Sequence, residues 1–315
     1  MLRLVFFGTP PIAASILSLL IAEGFEIAAV VTKPDKPIKR SKKPMPSAVK
    51  VVALEKLPNI PLFQPQKAGA PEFVDLLKKL NADVFVVAAY SEIFRENLLS
   101  MPRLGCINVH ASLLPKYRGA APIPRAIMAG EKESGVTIMV MDKELDAGAI
   151  LKMVKTPITP DMTGGELFIK LGELGGKALI EVLHEYEKGS AKPIHQRHVE
   201  ATFAPKLKPE DRIVHWNNSA QIIHNQIRAL HPDPGAYCLI ELNGFKKRLM
   251  IKKSSVCEGI FGSPGSILSS QSKKLIIGTR DVGLSLKEVQ LEGKKSMSIE
   301  QFLLGIDKTK LSFPF

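Results

Sequence analysis

Three residues of this sequence have side chains suited to transferring an acyl group: an amide, an imidazole and a carboxylate. Asn108 and His110 stand two positions apart at the end of an apolar run, and Asp146 follows in a Leu-Asp-Ala-Gly segment. An asparagine N–H can stabilise an oxyanion without exchanging a proton, whereas a histidine exchanges a proton near neutral pH. A carboxylate beside the imidazole can orient it or order a water that relays protons. The set predicts acyl transfer to an amine without a covalent enzyme intermediate.

The same residues also have a purely structural interpretation, which the sequence leaves open. Asp146 could simply form an Asx turn before Gly148. Two nearby nucleophiles are weaker candidates for catalysis. Ser112 lacks a surrounding Gly-x-Ser-x-Gly elbow, so we expect its hydroxyl to bond to the backbone of its own loop. Cys106 could be a catalytic thiol, but a small buried residue in a strand is the better interpretation.

The elements that position these residues are predicted by apolar runs alternating with helical patterns, which indicate βαβ units and a mainly parallel sheet. Ligands of such sheets bind at the carboxyl ends of the strands, and alternate residues of a strand point to one face. Asn108 and His110 are therefore expected to face the same ligand. The predicted strands are 2–7, 27–32, 84–88, 106–109, 136–141 and 150–154, and the predicted helices are 12–22, 47–57, 72–80, 123–129 and 164–187.

The turn after the first predicted strand argues against a dinucleotide cofactor. It reads Gly-Thr-Pro-Pro at 8–11, which is not Gly-x-Gly-x-x-Gly, and its prolines lack the backbone donors that a pyrophosphate needs. Pro11 is well placed to begin a helix, because the first N–H of a helix has no partner within it.

The sequence changes character after the long predicted helix, which indicates a second domain. Residues 190–208 contain prolines and few apolar residues, as is typical of a linker. Beyond them a short segment at 213–216 and a helix at 220–230 precede short β-rich runs separated by Gly, Ser and Pro, the pattern of a small barrel. We predict an α/β fold: a Rossmann-like domain over 1–189, a linker over 190–208, and a small β-barrel over 209–315.

The net charge of +12 is concentrated in two regions. Residues 33–50 contain seven Lys or Arg against one Asp, and residues 205–315 contain 17 against 10. Clustered cations are what phosphate contacts require, so the distribution predicts a polyanionic partner. The alternatives are a solvated, disordered insertion at 33–50 and a lysine-rich surface that serves solubility.

Cysteine content and hydropathy predict the cellular location. Three widely spaced cysteines do not suggest a disulfide framework, and the histidines lack partners at zinc-site spacing. No apolar run approaches the roughly 20 residues of a membrane span, and the N-terminus is not typical of a secretory signal. We expect a cytoplasmic protein without metal or membrane partner, and nothing suggests more than a monomer.

The motifs around the candidate site resemble those of the formyltetrahydrofolate-dependent formyltransferases. They are Asn-x-His-x-Ser-Leu-Leu-Pro at 108–115, Arg-Gly-Ala-Ala-Pro-Ile at 118–123 and Leu-Asp-x-Gly at 145–148, in the family's order. The resemblance is strongest to the branch that formylates methionine-charged initiator tRNA. It extends over nearly the whole chain, including the basic insertion 33–50 and Ile-Arg-Ala-Leu-His-Pro-x-Pro-Gly-Ala at 227–236.

The resemblance implies a Rossmann-like domain joined to an OB-fold-like, tRNA-binding barrel, with 10-formyltetrahydrofolate as the formyl donor. The methionyl α-amine would attack the formyl carbon, giving N-formylmethionyl-tRNA for translation initiation. Asn108, His110 and Asp146 would stabilise the tetrahedral intermediate and move protons. The implied folate contacts are Ser112, Leu113, Leu114, Pro115 and Tyr90. The implied tRNA contacts are Lys39, Arg40, Lys42 and Lys43.

This chain departs from the family pattern at four positions. Ser91 and Arg95 stand where the family usually has Gly and Pro, which could change folate affinity or the conformation of that turn. Lys39 and Ser41 replace glycines of the basic loop, which we expect to be stiffer, with activity retained. A formyltransferase for a sugar amine or a ribonucleotide amine, and an RNA-binding protein that has lost catalysis, remain alternatives. The basic regions favour tRNA, and the complete catalytic set favours an enzyme.

Overall fold

The computed structural model describes residues 1–37, 44–270 and 273–314. The chain divides into two compact units. The first comprises Met1–Pro122, Glu133–Pro157 and Phe168–Pro205, and the second comprises Ile123–Lys132, Ile158–Leu167 and Lys206–Phe315. Each unit thus combines segments that are distant in the sequence.

The first part of the chain, up to the end of the long helix, alternates strands with helices. Its elements are β1 (Arg3–Gly8), α1 (Pro11–Glu23), β2 (Glu26–Val31), β3 (Lys36–Pro37), β4 (Pro44–Met45), α2 (Ala48–Lys56), β5 (Leu62–Phe63), α3 (Pro71–Lys78), β6 (Val84–Ala88), α4 (Glu96–Leu99), β7 (Cys106–His110), α5 (Pro122–Met128), β8 (Glu133–Val140), β9 (Ile150–Pro157) and α6 (Gly164–Glu187).

Seven of these strands form the sheet of the first unit, in the order β5-β2-β1-β6-β7-β8-β9. The pairs from β5 to β7 are parallel, whereas β7–β8 and β8–β9 are antiparallel. Every residue of β6 is buried, as expected for a central strand covered on both faces. The predicted Rossmann-like, mainly parallel sheet is confirmed.

Local sequence signals account for the helix ends. Helix α1 begins at Pro11, as predicted, and is followed by Gly24 with a left-handed φ of 88°. Helix α2 begins after Ser47, whose side chain accepts a hydrogen bond from the Lys50 N–H. Helix α6 has the predicted bounds. The elements up to α6 that the sequence missed, β3, β4, β5 and α4, have two to four residues and are too short to show a period.

The second unit contains an antiparallel sheet that is nearly closed into a barrel. The elements of the chain after α6 are α7 (Ala220–Ala229), β10 (Ala236–Leu242), β11 (Phe245–Cys257), β12 (Ile267–Ser269), β13 (Leu275–Gly278), β14 (Gly283–Leu291), β15 (Met297–Ser298), α8 (Ile299–Leu304) and β16 (Leu311–Ser312). The strand order is β12-β13-β14-β11-β10-β16, with β15 paired to β14. The predicted small β-barrel is confirmed.

The segment 213–216, which precedes α7, does not form a strand. Only one bridge forms there, between Ile213 and Tyr237. The side-chain amide of Gln226 donates to the carbonyls of Asp211 and Ile213, at 2.9 and 2.8 Å, so that the Ile213 carbonyl is bound by a side chain. A run of apolar residues does not reveal such a competitor.

Two segments from the predicted first domain pack within the second unit. Arg125 makes a two-pronged ion pair with Asp211, at 3.0 and 2.7 Å, and lowers the pKa of that carboxyl. Arg228 donates to the carbonyls of Thr159 and Met162, at 3.3 and 2.9 Å. The division between the units after Pro205 falls inside the predicted linker, whose residues 190–205 belong to the first unit.

Candidate active site

Strand β7 carries two of the three candidate catalytic side chains. Val109, between them, faces helix α6, because a Cβ added to Gly175 would lie 2.8 Å from its Cγ1. Alternation therefore directs Asn108 and His110 to the opposite face of the sheet, as the sequence predicts. Asn108 is half-buried, and its side-chain amide has no hydrogen-bond partner within residues 1–37, 44–270 and 273–314.

The two ring nitrogens of His110 have different surroundings. Nε2 lies 3.0 Å from the carbonyl oxygen of Tyr117, which can only accept, so we assign the proton to this nitrogen. Nδ1 lies 3.6 Å from Oδ2 of Asp146, an ion-pair distance when the imidazole is protonated. Only 6% of the His110 side chain and 12% of the Asp146 side chain are exposed. The structure thus brings these two residues together from positions 36 apart in the sequence.

Asp146 belongs to the loop between β8 and β9, residues 141–149, which we call the Asp146 loop. Its φ of +52° lies in the left-handed region, which aspartate tolerates better than most residues. Its Oδ2 accepts a 2.7 Å hydrogen bond from the Gly119 N–H. Gly148 allows a close backbone approach, since a Cβ there would lie 1.9 Å from the Val140 carbonyl oxygen. The Gly119 N–H thus holds the carboxylate, and the loop packs closely against the end of β8 at Gly148.

The loop predicted to contact folate, residues 112–115, is held to strand β8 by the side chain of Thr137. The Thr137 hydroxyl donates to the Ser112 carbonyl at 2.7 Å and accepts from the Leu114 N–H at 3.1 Å. The Ser112 hydroxyl donates to the Lys116 carbonyl at 2.6 Å, in line with the predicted backbone role. The Ser112 and Leu114 side chains are buried, whereas Leu113 and Pro115 are half-buried. Only the latter two present side-chain surface to a ligand.

Tyr90, the fifth predicted folate contact, lies in the core of the first unit. It is 1% exposed and packs edge-on against the rings of Phe7 and Phe94. The Lys33 ammonium lies 4.7 Å from the ring centre. Burial raises the pKa of the Tyr90 hydroxyl. Any contact of this turn with folate would therefore come from its backbone and not from the tyrosine ring.

Cys106 is not placed for nucleophilic chemistry. Its side chain is buried, its thiol lies 3.4 Å from the Leu98 carbonyl, and burial raises its pKa to about 12. A thiol with so high a pKa is almost never a thiolate at neutral pH. The interpretation as a small buried residue is the one that the structure supports.

The predicted tRNA contacts Lys39, Arg40, Lys42 and Lys43 lie outside the described residues. The flanking strands β3 and β4 pair antiparallel, Lys36 with Met45 and Pro37 with Pro44. Lys50 donates to Asp35 at 2.7 Å and to Gln64 at 2.8 Å, and the Gln64 amide donates to Asp35 at 2.7 Å. The Lys50 hydrogen bond lowers the pKa of Asp35. The two ends of the basic segment are thus tied together.

A further side chain, which no sequence pattern singles out, also reaches the Asp146 loop. Gln196, in the predicted linker, donates to the carbonyls of Asp146 and Gly148 and accepts from Arg118. Arg118 is part of a motif that carries the family resemblance, but no role followed from it. No local pattern marks Gln196, because its partners are about 50 and 80 residues away.

The described parts of the chain lack the features of a metal centre and of a membrane-spanning helix. They contain no group of three or more His, Cys, Asp or Glu side chains arranged to hold a metal ion. None of their helices is both long and apolar enough to cross a membrane.

On one face of a Rossmann-like sheet, the fold brings together an amide, an imidazole and a carboxylate, a set of groups suited to acyl transfer. Sequence models agree, one described as "Formyl transferase" matching residues 2–183 and one described as "Formyl transferase, C-terminal domain" matching residues 206–307. The chain belongs to the formyl transferase family.

Individual relatives extend this finding. A methionyl-tRNA formyltransferase of Protochlamydia amoebophila is 47% identical over 313 residues, covering 99% of this chain and 98% of that protein. Among solved structures, HypX from Aquifex aeolicus in complex with tetrahydrofolic acid has a TM-score of 0.66 at 18% identity, over 100% of this chain and 51% of that one. An N-formyltransferase from Helicobacter canadensis with folinic acid and dTDP-3-aminofucose has a TM-score of 0.65 at 19% identity, over 91% and 99%. These two similarities concern the fold alone.

Proposed function

We propose that this chain transfers the formyl group of 10-formyltetrahydrofolate to the α-amino group of methionyl initiator tRNA. The observation that carries the proposal is the pairing of His110 with Asp146, on the same sheet face as the Asn108 amide, which has no hydrogen-bond partner among the described residues. The near-complete match to a methionyl-tRNA formyltransferase selects the amine. The product is N-formylmethionyl-tRNA, used to initiate translation.

Each of the three side chains has a distinct task in this reaction. The Asn108 amide donates to the oxygen of the formyl group as that oxygen becomes negative in the tetrahedral intermediate. His110 holds or releases a proton at Nδ1, because its Nε2 is bonded to the Tyr117 carbonyl. Asp146 stabilises the charged imidazole across the 3.6 Å separation and orients it. The amine loses a proton as it attacks, and tetrahydrofolate gains one as it leaves.

Of the loop residues that the sequence proposes as folate contacts, only those with exposed side-chain surface can pack against the ligand. Leu113 and Pro115 retain accessible apolar surface, which suits packing against a flat ring. Ser112 and Leu114 hold the loop in shape through their bonds to Lys116 and Thr137. The residues present therefore fit the formyl donor through the half-buried Asn108 amide and the surface of this loop.

The basic segment is proposed to bind the tRNA. Lys39, Arg40, Lys42 and Lys43 would contact phosphates of the acceptor arm, because clustered cations release counterions when they bind a nucleic acid. Arg40 is the strongest candidate, since a guanidinium can grip a phosphate through two hydrogen bonds. The hydrogen bonds among Asp35, Lys50 and Gln64 support the proposal, because they hold the two ends of the basic segment close together in space. The second unit is proposed to support the rest of the tRNA.

The proposed substrate also suggests where in the cell the protein acts, and we add an expectation for its oligomeric state. We place the protein in the cytoplasm, where aminoacyl-tRNA is used, and we expect it to act as a monomer without a membrane partner. Gel filtration combined with light scattering would test the monomer directly.

The decisive experiment offers one labelled formyl donor to several amines in parallel. The enzyme is incubated with 10-formyltetrahydrofolate carrying a labelled formyl group and with methionyl initiator tRNA, uncharged tRNA, free methionine or a nucleotide-linked amino sugar. Label is expected only on methionyl-tRNA. Label on the amino sugar and not on the tRNA would refute the proposed substrate, and no transfer to any amine would refute the proposed enzyme.

A further inference from the structure

One buried side-chain amide holds the backbone of the Asp146 loop at two points. Nε2 of Gln196 donates to the carbonyl of Asp146 at 2.9 Å and to that of Gly148 at 2.8 Å. Gln196 is 6% exposed, so water does not compete freely for these carbonyls. Both hydrogens of a single amide group are thus used on the two residues that flank Ala147.

The orientation of the Gln196 amide is fixed by Arg118. Its Oε1 accepts from Nη2 of Arg118 at 2.7 Å and from Nε at 3.2 Å. A guanidinium has only donors, so the oxygen of Gln196 must face Arg118 and the nitrogen must face the loop. Arg118 is itself 5% exposed, and its Nη2 lies 3.4 Å from Nδ1 of His198.

The loop needs such support because its conformation is unfavourable by itself. Asp146 has a φ of +52°, a left-handed conformation that is unfavourable for a residue other than glycine, although less so for aspartate than for most. Such conformations persist where several interactions with the surrounding structure hold the backbone in place. Here the Gly119 N–H holds the carboxylate and Gln196 holds the backbone on both sides of the following residue.

Arg118 connects this support to the imidazole. The residue before it, Tyr117, provides the carbonyl for Nε2 of His110, and the residue after it, Gly119, provides the N–H for Asp146. The Arg118 backbone is paired with the 202–204 segment, through Thr202 O at 2.8 Å and Ala204 N at 2.7 Å. Three consecutive residues therefore set the positions of both members of the catalytic pair.

We propose that Gln196 is a positioning residue of the active site, which together with Arg118 holds the Asp146 carboxylate at its working distance from His110. The inference rests on the proposed catalytic role of Asp146. Gln196 itself does not touch the reacting atoms. Its loss is expected to lower the rate of the chemical step and to leave the binding of both substrates largely unchanged.

The test variant is Gln196→Glu, with His195→Gln as the matched control. Glutamate has nearly the same shape and still accepts from Arg118, but it cannot donate to the two carbonyls. His195 is the exposed neighbour. A displacement of about 1 Å at a catalytic group can cost about 100-fold in rate. We expect the single-turnover formylation rate to fall at least about 10-fold, with KM for the formyl donor and methionyl-tRNA within about twofold and the control unchanged.

A double-mutant cycle separates positioning from a general structural effect. In an Asp146→Asn background, Gln196→Glu should lower the residual rate by less than about twofold, because the carboxylate that it positions is gone. Equal fold losses in both backgrounds would show that Gln196 acts independently of Asp146 and would overturn the inference. A normal rate for Gln196→Glu alone would do the same.

A second readout does not depend on the substrate. Nitrogen-15 chemical shifts of the His110 ring, assigned by comparison with His110→Ala, should change in Gln196→Glu and not in His195→Gln. Unchanged ring shifts would overturn the positioning role whichever amine is accepted. Failure of the wild type to formylate methionyl-tRNA would instead count against the proposed function.

Discussion

Replacing Asp146 by asparagine isolates the negative charge beside His110. Asparagine has the same shape, tolerates a φ of +52°, and offers an oxygen to the Gly119 N–H. The carboxylate charge 3.6 Å from Nδ1 of His110 is the feature that disappears. The substitution should therefore slow catalysis without disturbing the fold.

The magnitude follows from the distance between the two charges. Unit charges 3.6 Å apart interact by about 1 kcal/mol in water and by about 5 kcal/mol at an effective dielectric constant of 20. Both groups are largely buried, so the value for a charged imidazole lies between these limits. A loss of about 2.7 kcal/mol corresponds to a 100-fold lower rate. We expect the formylation rate of Asp146→Asn to fall by about 100-fold.

Comparison with Asp146→Ala separates charge from backbone strain. Alanine leaves the Gly119 N–H without its partner, which costs about 1–3 kcal/mol, and is strained at positive φ by about 1–2 kcal/mol. Asparagine loses only the charge assistance of one hydrogen bond, about 1 kcal/mol. Asp146→Ala should therefore unfold at distinctly lower urea concentration than Asp146→Asn, although both lose the carboxylate.

The assay is single-turnover formylation with enzyme in excess, together with urea unfolding followed by circular dichroism. Glu144→Gln is the control, because it removes an exposed carboxylate from the same loop. Asp146→Asn with more than half of the wild-type rate would refute the catalytic role of the charge. Equal stabilities of the Asn and Ala variants would refute the account of the backbone.

Three further predictions concern other parts of the chain. Ser91 has a φ of +62°, so Ser91→Gly should relieve strain and, after the entropy loss of glycine, raise the free energy of unfolding by about 0.5–1 kcal/mol in urea titrations; a lower value would contradict this. Arg40→Ala should weaken tRNA binding and reduce the slope of log Kd against log salt by about 1 with folate binding unchanged, whereas an unchanged slope would remove Arg40 from the interface. Burial lowers the pKa of His224 in the folded protein. As the pH falls, the unfolded chain therefore binds a proton at this residue before the folded protein does, and the free energy of unfolding decreases below the unfolded pKa. His224→Gln should therefore show a flatter decline in stability between about pH 7 and pH 5 than the wild type, and an identical decline would contradict this.

The sequence was informative where signals are local. Helix α6 has the predicted bounds because its apolar period extends over 24 residues. The alternation of β7 correctly placed Asn108 and His110 on the face opposite to Val109. The short strands β3, β4 and β5 were missed, since two residues cannot show a period.

The predicted folate contacts and the predicted linker show that sequence patterns do not predict which side chains are buried. Tyr90 stands after a strand end, where a ligand contact is reasonable, but Phe7 and Phe94 enclose its ring. Residues 190–208 are typical of a linker in composition, yet Gln196 within them bonds to the Asp146 loop. Whether a polar residue meets solvent or a buried carbonyl depends on which distant segment covers it.

The sequence by itself determined the order and type of the main elements, the two-part architecture, and the residues equipped to move a proton or stabilise an oxyanion. These properties depend on side-chain chemistry and on periods of two or 3.6 residues, which neighbours along the chain already define. Only the tertiary structure decided the 3.6 Å approach of Asp146 to His110, its support by Arg118 and Gln196, and the burial of Tyr90, Ser112 and Leu114. The physical reason is that those distances are set by the packing of segments far apart in sequence, about which local patterns carry no information.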